Sequence, residues 1–124
     1  MRAMQVGIDI IEISRIKRAY ERYNRLFLKR ILTESEIEWC LNKPRPFESV
    51  AVRFACKEAF AKAMGTGISG ELSWQSIEIL NDKEGKPTLF LKQPFNGLKS
   101  EQVKLSLSHT HEYAVAVVII EPDK

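Results

Sequence analysis

The sequence predicts an α+β fold in which a helical N-terminal half packs on a mainly antiparallel sheet. The first observation is helical periodicity, together with helix start and stop residues, between residues 14 and 64. The second is a series of short β-prone segments, separated by turn residues, in the rest of the chain. The third is length, because 124 residues can bury one core and no linker divides them. Residues 1–124 are therefore expected to form a single domain.

The composition is that of an ordinary globular protein. Hydrophobic residues make up 44% of the chain and charged residues 28%. No apolar run approaches the roughly 18 residues of a membrane span, and the N-terminus lacks the cleavage site of a signal peptide. The chain has two cysteines, Cys40 and Cys56, which are not arranged as a CxxC pair. Their number and spacing do not suggest a framework of disulfide bonds. We therefore expect a reduced, cytoplasmic protein.

The positive charge is concentrated in one stretch. The net charge is +3, but residues 14–30 contain seven bases and one acid. The remainder contains 12 bases and 15 acids and is therefore mildly acidic. A local basic patch on such a body indicates an acidic partner that docks at one place.

The first predicted element is a buried strand over residues 4–13. Alternation gives it two faces, with Val6, Ile8 and Ile10 on one and Gly7 and Asp9 on the other. Aspartate is depleted in strands, so Asp9 is a candidate functional residue, with a bulge or a capping role as the structural alternative. Gly7 on the same face would allow another group to approach closely.

A helix with one basic face is predicted next, with Ser14 as its expected N-cap. Apolar residues recur on one side at helical spacing, and bases cluster on the opposite side: Arg15, Arg18, Arg22, Arg25 and Lys29. Bases at this spacing repel each other, which favours a binding surface, although a solvated charged face is the alternative. Asn24 is expected to interrupt this helix.

Two more helices are predicted from their boundary residues. Thr33 and Glu36 form a capping-box pattern that opens a short helix over about 34–41. Pro46 is suited to the first turn of a longer helix over about 46–64, and Gly65 and Gly67 end it. The glycine-rich loop that follows is flexible enough to wrap around a ligand.

The second half is predicted to consist of antiparallel strands. The expected strands are 74–81, 87–92, 103–108 and 113–120, and residues 109–112 join the last two as a hairpin.

Glu58 lies within the apolar stripe of the long helix. At about 100° per residue, Ala51, Phe54 and Ala55 lie within about 60° of Glu58, and Lys62 follows one turn later on the same side. A buried carboxylate needs a partner or a metal. One interpretation is a core salt bridge between Glu58 and Lys62 or an arginine.

Asp9 and Glu58 together favour a divalent cation. Two carboxylates brought together repel each other, and a cation removes that conflict. Two carboxylates, completed by waters and substrate phosphate, are the usual protein ligands of Mg²⁺. No histidine pair or thiolate cluster suits zinc.

Other residues are candidates for phosphate binding. Arg53 and Lys57 lie one turn apart, on another side of the helix than Lys62, and are expected either to face a phosphate or to stay in solvent. His109, beside Thr110 at the predicted hairpin, is a phosphate ligand, a base or an ordinary turn histidine.

Three segments of the chain match a known family in order and spacing. They are VGIDI at 6–10 with Arg15 following, RFACKEAFAKA at 53–63 with GTG at 65–67, and SLSHT at 106–110; Asn81 with GKP at 85–87 is a weaker fourth. On these segments the sequence resembles the holo-(acyl carrier protein) synthases, the small bacterial 4′-phosphopantetheinyl transferases. The combination of GxD with the KEAxxK helix is specific, whereas either motif alone would be weak.

The resemblance implies an Mg²⁺-dependent transferase of fatty acid biosynthesis and lipid metabolism. It would move the 4′-phosphopantetheine arm of coenzyme A to a serine of an acyl carrier protein and release 3′,5′-ADP. Asp9 and Glu58 match the family's metal ligands, and Lys62 matches a lysine at the pyrophosphate; these three are the implied catalytic residues. The implied contacts to coenzyme A are Arg53, Lys57, Lys62, Gly65, Thr66, Gly67, Pro87, His109 and Thr110. Either Glu58 or a metal-held water would take the serine proton.

The resemblance also implies a partner and an assembly. Acyl carrier proteins are small and strongly acidic, and the basic helix would meet them through Arg15, Arg18, Arg22 and Arg25. The family is homotrimeric, with each active site at a subunit boundary. The trimer is carried over from the family, since composition and spacing do not indicate it.

Two other function classes account for part of the pattern. An Mg²⁺-dependent nucleotide phosphohydrolase would use the same carboxylates and lysines, but it leaves the basic helix unexplained. A non-catalytic adaptor for acidic proteins would need only the basic helix. A nucleic-acid binder ranks last, because the rest of the chain is net negative and no base-stacking platform or reading motif is present.

Overall fold

The computed structural model of the chain describes residues 3–69 and 72–122. Its elements, in chain order, are β1 (Gln5–Glu12), α1 (Ile13–Tyr23), α2 (Arg25–Ile31), α3 (Glu34–Leu41), α4 (Pro46–Met64), β2 (Ile77–Asn81), β3 (Pro87–Leu91), β4 (Val103–His109) and β5 (Tyr113–Ile120). The predicted α+β class is confirmed, with the helices in the first half. The strands of the described residues divide into two antiparallel sheets rather than one, β1-β5-β4 and β2-β3.

The three-stranded sheet turns Asp9 towards the long helix. Asp9 is paired with Ala116 of β5, and Ala116 is paired in turn with Leu107 of β4. Directly paired residues point their side chains to the same face of a sheet. Ala114 and Ala116 are fully buried, and α4 packs on β1 and β5. The face of β1 that carries Gly7 and Asp9 is therefore the face that α4 covers.

β1 and α4 meet backbone to backbone at Gly7. A Cβ atom on this residue would lie 1.9 Å from the carbonyl oxygen of Ala59 and 2.7 Å from the amide nitrogen of Ala63. The predicted close approach at Gly7 is confirmed, and the group that approaches is the helix. Glu58 and Lys62 each precede one of these contact residues, so the contact brings both alongside β1.

The other face of β1 is apolar but exposed. Val6, Ile8 and Ile10 are 65%, 60% and 64% exposed, respectively. The prediction of a buried strand is wrong for this face, because α4 covers only one side of the sheet. Val115 and Val117 of the paired strand β5 lie on the same side and are half-buried. They extend the apolar surface across the sheet.

The basic helix is divided into two segments. α1 begins at Ile13 with Glu12 as the N-cap, so the predicted Ser14 cap is wrong. The interruption at Asn24 is confirmed, since this residue has φ 54° and separates α1 from α2. Ile16 and Leu28 anchor the two segments in the core.

The next two helices have the predicted bounds. Thr33 Oγ1 accepts a hydrogen bond from the Glu36 amide at 3.3 Å, and the Thr33 amide donates to Glu36 Oε1 at 2.8 Å, so the capping box is confirmed. Pro46 is the first residue of α4, and Gly65 follows the helix in the left-handed conformation with φ 77°. Among the helices of the described residues, none has both the length and the hydropathy that crossing a bilayer requires.

The strands of the second half differ from the prediction mainly at one end. Residues 74–76 form a single 3₁₀ turn, and β2 begins only at Ile77. The Ser73 amide donates to Ser76 Oγ at 3.2 Å across this turn. The predicted hairpin between β4 and β5 is confirmed.

Candidate active site

Asp9 and Lys62 form an ion pair across the contact between β1 and α4. Lys62 Nζ donates to Asp9 Oδ1 at 2.9 Å and to the carbonyl oxygen of Ile8 at 3.0 Å. The Asp9 side chain is 16% exposed and that of Lys62 is 53% exposed. Lys62 is therefore paired with the strand carboxylate, so the interpretation in which Lys62 is the salt-bridge partner of Glu58 is wrong.

Glu58 is half-buried beside this pair. Burial raises the pKa of the Glu58 carboxyl group, and the negative charge of Asp9 raises it further, whereas the ammonium of Lys62 opposes both effects. Two carboxylates from elements far apart in sequence thus interact electrostatically. The structure brings Asp9, Glu58 and Lys62 together, as the sequence predicted.

The acidic pair has the donor chemistry of a Mg²⁺ site that a substrate completes. Within residues 3–69 and 72–122, no three His, Cys, Asp or Glu side chains converge on one point. Two carboxylates without a third protein ligand suit Mg²⁺, which keeps several waters and binds substrate phosphates. The Lys62 ammonium group shows that Asp9 can pair with a positive charge at this place. Burial, and after it the charge of Asp9, raises the pKa of Glu58, and a divalent cation would remove the repulsion between the two carboxylates.

A cavity of about 460 Å³ lies near the N-terminal part of α4. The residues that line it include Lys43, Arg53, Asn81, Pro87, Leu107 and His109. Three of the residues predicted to contact coenzyme A thus line one concave surface: Arg53, Pro87 and His109. Its basic lining suits an anionic ligand.

Arg53 is buried, with only 2% of its surface exposed. Its Nε donates to the carbonyl oxygen of Ile79 at 3.1 Å, and its Nη2 donates to Asn81 Oδ1 at 2.8 Å. Asn81 Nδ2 donates in turn to the carbonyl oxygen of Gly85 at 2.9 Å. Arg53 therefore links α4 to the β2–β3 hairpin, and the solvent-exposed alternative for this residue is wrong.

Lys57 contradicts both sequence interpretations. Its side chain is completely buried. Its Nζ donates to Glu36 Oε1 at 2.6 Å, to the Ile31 carbonyl oxygen at 2.9 Å and to the Trp74 carbonyl oxygen at 2.8 Å. Because all three donors of the ammonium are used inside the protein, Lys57 neither contacts coenzyme A nor lies in solvent. It is one half of a core ion pair.

The loop after α4 and the turn before β5 are both exposed. Gly65 and Gly67 have φ values of 77° and 69°, and the Thr66 amide between them donates to the Ala61 carbonyl oxygen at 3.2 Å. Thr110 Oγ1 accepts from the amide of Tyr113 at 3.0 Å. Its hydroxyl proton remains suitable for donation to a ligand.

The basic residues of the first two helices form an exposed surface. Arg15, Arg18, Arg22 and Arg25 are all exposed. Arg25 approaches Glu34 at 3.7 Å, with the two side chains 52% and 73% exposed. An exposed pair of this kind contributes about 0–1 kcal/mol, so it leaves Arg25 free to exchange partners.

Within one chain, the acidic pair and the cavity are separate. Neither Asp9, Glu58 nor Lys62 lines the cavity. Along α4, Arg53 precedes Lys62 by nine residues, which corresponds to about 14 Å of helix. A ligand that needs both regions would have to span them or obtain one of them from another subunit.

Trp39 and Lys43 are among the lining residues that the sequence interpretation missed. Trp39 and Lys43 lie on or directly after α3, and Lys43 Nζ lies 3.8 Å from the centre of the Trp39 ring. Their spacing of one helical turn predicts only that they share a side of the helix. Nothing in the local pattern indicates that this side borders a cavity.

The chain is similar to known proteins over almost its whole length. The model of the 4′-phosphopantetheinyl transferase superfamily matches residues 5–118. A holo-[acyl-carrier-protein] synthase of Chlorobaculum tepidum is 48% identical over 120 residues, which is 96% of this chain and 99% of the relative.

Solved structures of similar proteins have the same fold. The holo-(acyl-carrier-protein) synthase of Bacillus anthracis in complex with CoA (3′,5′-ADP) is 42% identical, with a TM-score of 0.81 and coverage of 98% of this chain and 100% of the other. The Helicobacter pylori holo-[acyl-carrier-protein] synthase in complex with coenzyme A is 37% identical, with a TM-score of 0.83 and coverage of 94% and 99%.

Proposed function

The chain belongs to the 4′-phosphopantetheinyl transferase superfamily, and on that premise we propose that it loads acyl carrier protein. It transfers the 4′-phosphopantetheine arm of coenzyme A to a serine of the apo carrier. The observation that carries this proposal is the meeting of Asp9, Glu58 and Lys62 at the contact between β1 and α4. This contact lies within a chain that resembles holo-[acyl-carrier-protein] synthases along almost its whole length.

The reaction requires one bond to form at phosphorus and one to break. The serine oxygen bonds to the phosphorus that carries the pantetheine arm, the bond from that phosphorus to the bridging oxygen breaks, and adenosine 3′,5′-bisphosphate leaves. Either Glu58 or a water molecule held at the site that Glu58 forms with Asp9 accepts the serine proton. Lys62, held by Asp9 and the Ile8 carbonyl oxygen, presents its ammonium to the pyrophosphate.

Asp9 and Glu58 would hold Mg²⁺. When bound, the cation neutralises negative charge on the pyrophosphate during the transfer. The support for this assignment is the pair of interacting carboxylates without a third protein ligand among the described residues. Lys62 then exchanges the carboxylate of Asp9 for a phosphate oxygen.

The cavity takes the nucleotide end of coenzyme A. Arg53 supplies positive charge, His109 supplies a ring nitrogen, and Pro87 supplies an apolar surface. His109 meets the adenosine 3′-phosphate, with Thr110 beside it, and the Gly65–Gly67 loop with Thr66 lies against the nucleotide. Support comes from the basic lining of the cavity and from the positions of these residues in the segments that resemble the family.

The carrier protein docks on the basic surface of the first two helices. Arg15, Arg18, Arg22 and Arg25 are exposed there, and long-range attraction to an acidic carrier speeds the encounter. We place the enzyme in the cytoplasm, which agrees with the free, buried cysteines Cys40 and Cys56.

The enzyme assembles as a homotrimer with active sites at the subunit boundaries. Val6, Ile8 and Ile10 expose an apolar strip that is 60–65% accessible in one chain. Such surfaces mark sites of association, and a second copy of this chain is the occupant we propose. The separation of the acidic pair from the cavity supports the same assembly, because a neighbouring subunit would supply the missing half.

A mass measurement tests the proposed reaction. The protein is incubated with coenzyme A, Mg²⁺ and apo acyl carrier protein, and the intact mass of the carrier is followed. We expect the mass of one phosphopantetheine to be added to the carrier, with release of an equal amount of 3′,5′-ADP. A carrier whose acceptor serine is replaced by alanine is the matched control and stays unmodified.

Two outcomes would overturn the proposal. Cleavage of coenzyme A at the same rate without a carrier would indicate a nucleotide phosphohydrolase. Binding of the carrier without any mass change, in the wild type and in Glu58→Gln alike, would indicate a non-catalytic adaptor. Chelation of the metal by EDTA is expected to stop transfer, and activity that persists in EDTA would remove Mg²⁺ from the mechanism.

A further inference from the structure

A carboxylate at the start of α4 lies among three basic side chains. Glu48 Oε1 lies 3.8 Å from His109 Nδ1, and Glu48 Oε2 lies 3.5 Å from His111 Nδ1 and 3.6 Å from Arg45 Nη1. The Glu48 side chain is only 16% exposed, whereas those of Arg45, His109 and His111 are 63%, 45% and 79% exposed. The acid is thus the least exposed member of the cluster.

The Glu48 carboxylate approaches His109 from behind the cavity. His109 lines the cavity and Glu48 does not. His109 Nδ1 lies 3.2 Å from the Thr110 carbonyl oxygen and 3.8 Å from Glu48. Both acceptors are on the Nδ1 side of the ring, which leaves Nε2 as the nitrogen available to a ligand. The Thr110 carbonyl oxygen is within hydrogen-bond distance of this nitrogen, whereas the Glu48 carboxylate acts on the same side of the ring through its charge.

A second contact ties the same helix to the hairpin. Arg45 Nη1 lies 2.7 Å from His111 Nδ1. A guanidinium group can only donate, so this imidazole nitrogen accepts. At the start of α4, Arg45 thus holds His111 and Glu48 lies beside His109, so this end of the helix contacts both histidines that flank Thr110.

The cluster matters more for ligand binding than for stability. Exposed ion pairs contribute about 0–1 kcal/mol, and a carboxylate near a basic cavity repels an anionic ligand. The three bases of the lining, Lys43, Arg53 and Lys83, outnumber its one acid, Asp82, and make it basic. An acid placed directly behind it weakens anion binding unless it orients a group that the anion needs.

We propose that Glu48 is a positioning residue for the donor substrate. It holds the His109 ring so that Nε2 meets the adenosine 3′-phosphate of coenzyme A. This inference rests on the proposed function. It adds a residue that neither lines the cavity nor contacts the reacting atoms.

Kinetics with two donors test the proposal. We compare Glu48→Gln with the wild type, using coenzyme A and 3′-dephospho-coenzyme A. With coenzyme A, we expect Glu48→Gln to raise KM about five- to tenfold and to leave kcat unchanged. This is the size of effect expected when the charge-assisted hydrogen bond between His109 and the 3′-phosphate loses its alignment. With the dephospho donor, KM is expected to be the same in both proteins, because the phosphate that His109 meets is absent.

Two control variants separate positioning from other effects. Glu112→Gln removes one negative charge, as Glu48→Gln does, from an exposed site on the hairpin that carries His109. We expect it to leave KM unchanged for both donors. In a His109→Ala background, Glu48→Gln is expected to have no further effect on KM. An equal rise in KM for both donors, a fall in KM for coenzyme A, or a full effect in the His109→Ala background would each overturn the proposal.

A binding measurement keeps the proposal testable if no transfer occurs. Calorimetry with 3′,5′-ADP and with 5′-AMP requires no carrier and no reaction. Weaker binding of 3′,5′-ADP alone by Glu48→Gln supports the positioning role even where the transferase proposal has failed. Absence of 3′,5′-ADP binding by the wild type, or equal binding by both proteins, overturns it.

Discussion

Replacement of Lys57 by methionine should strongly destabilise the protein. The ammonium and the Glu36 carboxylate are both completely inaccessible, and their atoms are 2.6 Å apart. Burial lowers the pKa of Lys57, whereas the charge of Glu36 and the hydrogen bond to it raise that pKa. Each charge therefore depends on the other for its presence in the core.

The structure sets the expected size of the effect. In Lys57→Met, the Glu36 carboxylate keeps its bonds from the Thr33 and Ile79 amides, both at 2.8 Å, but it loses its countercharge. Leaving one member of a buried pair alone costs about 3–5 kcal/mol. With an unfolding entropy of about 0.26 kcal/mol/K for a chain of this length, Tm falls by about 12–19 °C.

Thermal and urea unfolding, followed by circular dichroism at one fixed protein concentration, measure the effect. Lys104→Met is the matched control, since Lys104 forms an exposed pair with Glu121 at 3.8 Å, and we expect a change within about 0.5 kcal/mol. Glu36→Gln and the double variant complete a cycle, with an expected coupling of about 0.5–3 kcal/mol. The reasoning is refuted if Lys57→Met costs no more than the control, or if the single effects add.

Three further outcomes are expected. Ile8→Asp puts a charge in the exposed strip, so under the proposed trimer sedimentation should detect a shift to monomer. An unchanged assembly would show that this strip is not part of the interface. Burial and Asp9 raise the pKa of Glu58, so in EDTA the wild type loses stability as pH rises from about 4.5 through that raised pKa. The free energy of unfolding of Glu58→Gln, measured relative to that of the wild type, should therefore rise over the same pH range. A difference that stays constant across urea unfolding experiments at these pH values would contradict this. Replacement of Arg15 and Arg22 by glutamate should raise KM for the carrier about tenfold at low salt and leave KM for coenzyme A unchanged. In the wild type, KM for the carrier should rise with added salt. If neither change affects the carrier kinetics, the basic surface does not take part in docking.

Local signals were sufficient for the helices around the site. The capping box at Thr33, the proline at position 46 and the glycine at position 65 each act within one turn of the chain, so they predict the bounds of α3 and α4 directly. The meeting of Asp9 with Glu58 was predicted differently, from two carboxylates placed where apolar residues were expected. The simplest physical reason for a carboxylate at each of these two positions was that both bind the same cation.

The position of Lys57 could not be derived in this way. α4 is covered on almost every side, since the four consecutive residues from Val50 to Arg53 are all buried although they point in different directions. Periodicity identifies a buried face only when the opposite face is solvated. The partner of Lys57 is Glu36, 21 residues earlier in the chain, and no spacing rule connects the two.

The exposed side of β1 escaped prediction for a related reason. Ile8 and Ile10 have the apolar character of a core strand, and alternation says only that they share a face. A sequence does not distinguish a face covered by its own helix from one left for another molecule. The structure distinguishes them because α4 packs on the Asp9 side alone.

The absence of a side chain at Gly7 has a consequence for ion selectivity. The strand and the helix that carry the two carboxylates rest against each other through main-chain atoms, with no compressible side chain between them. Under the proposed Mg²⁺ site, a larger ion such as Ca²⁺, whose oxygen ligands lie about 0.3–0.5 Å further out, would have to push apart two rigid elements. Discrimination between Mg²⁺ and Ca²⁺ by ionic radius would then depend on the packing of β1 against α4, and substitutions at the two carboxylates would not change it.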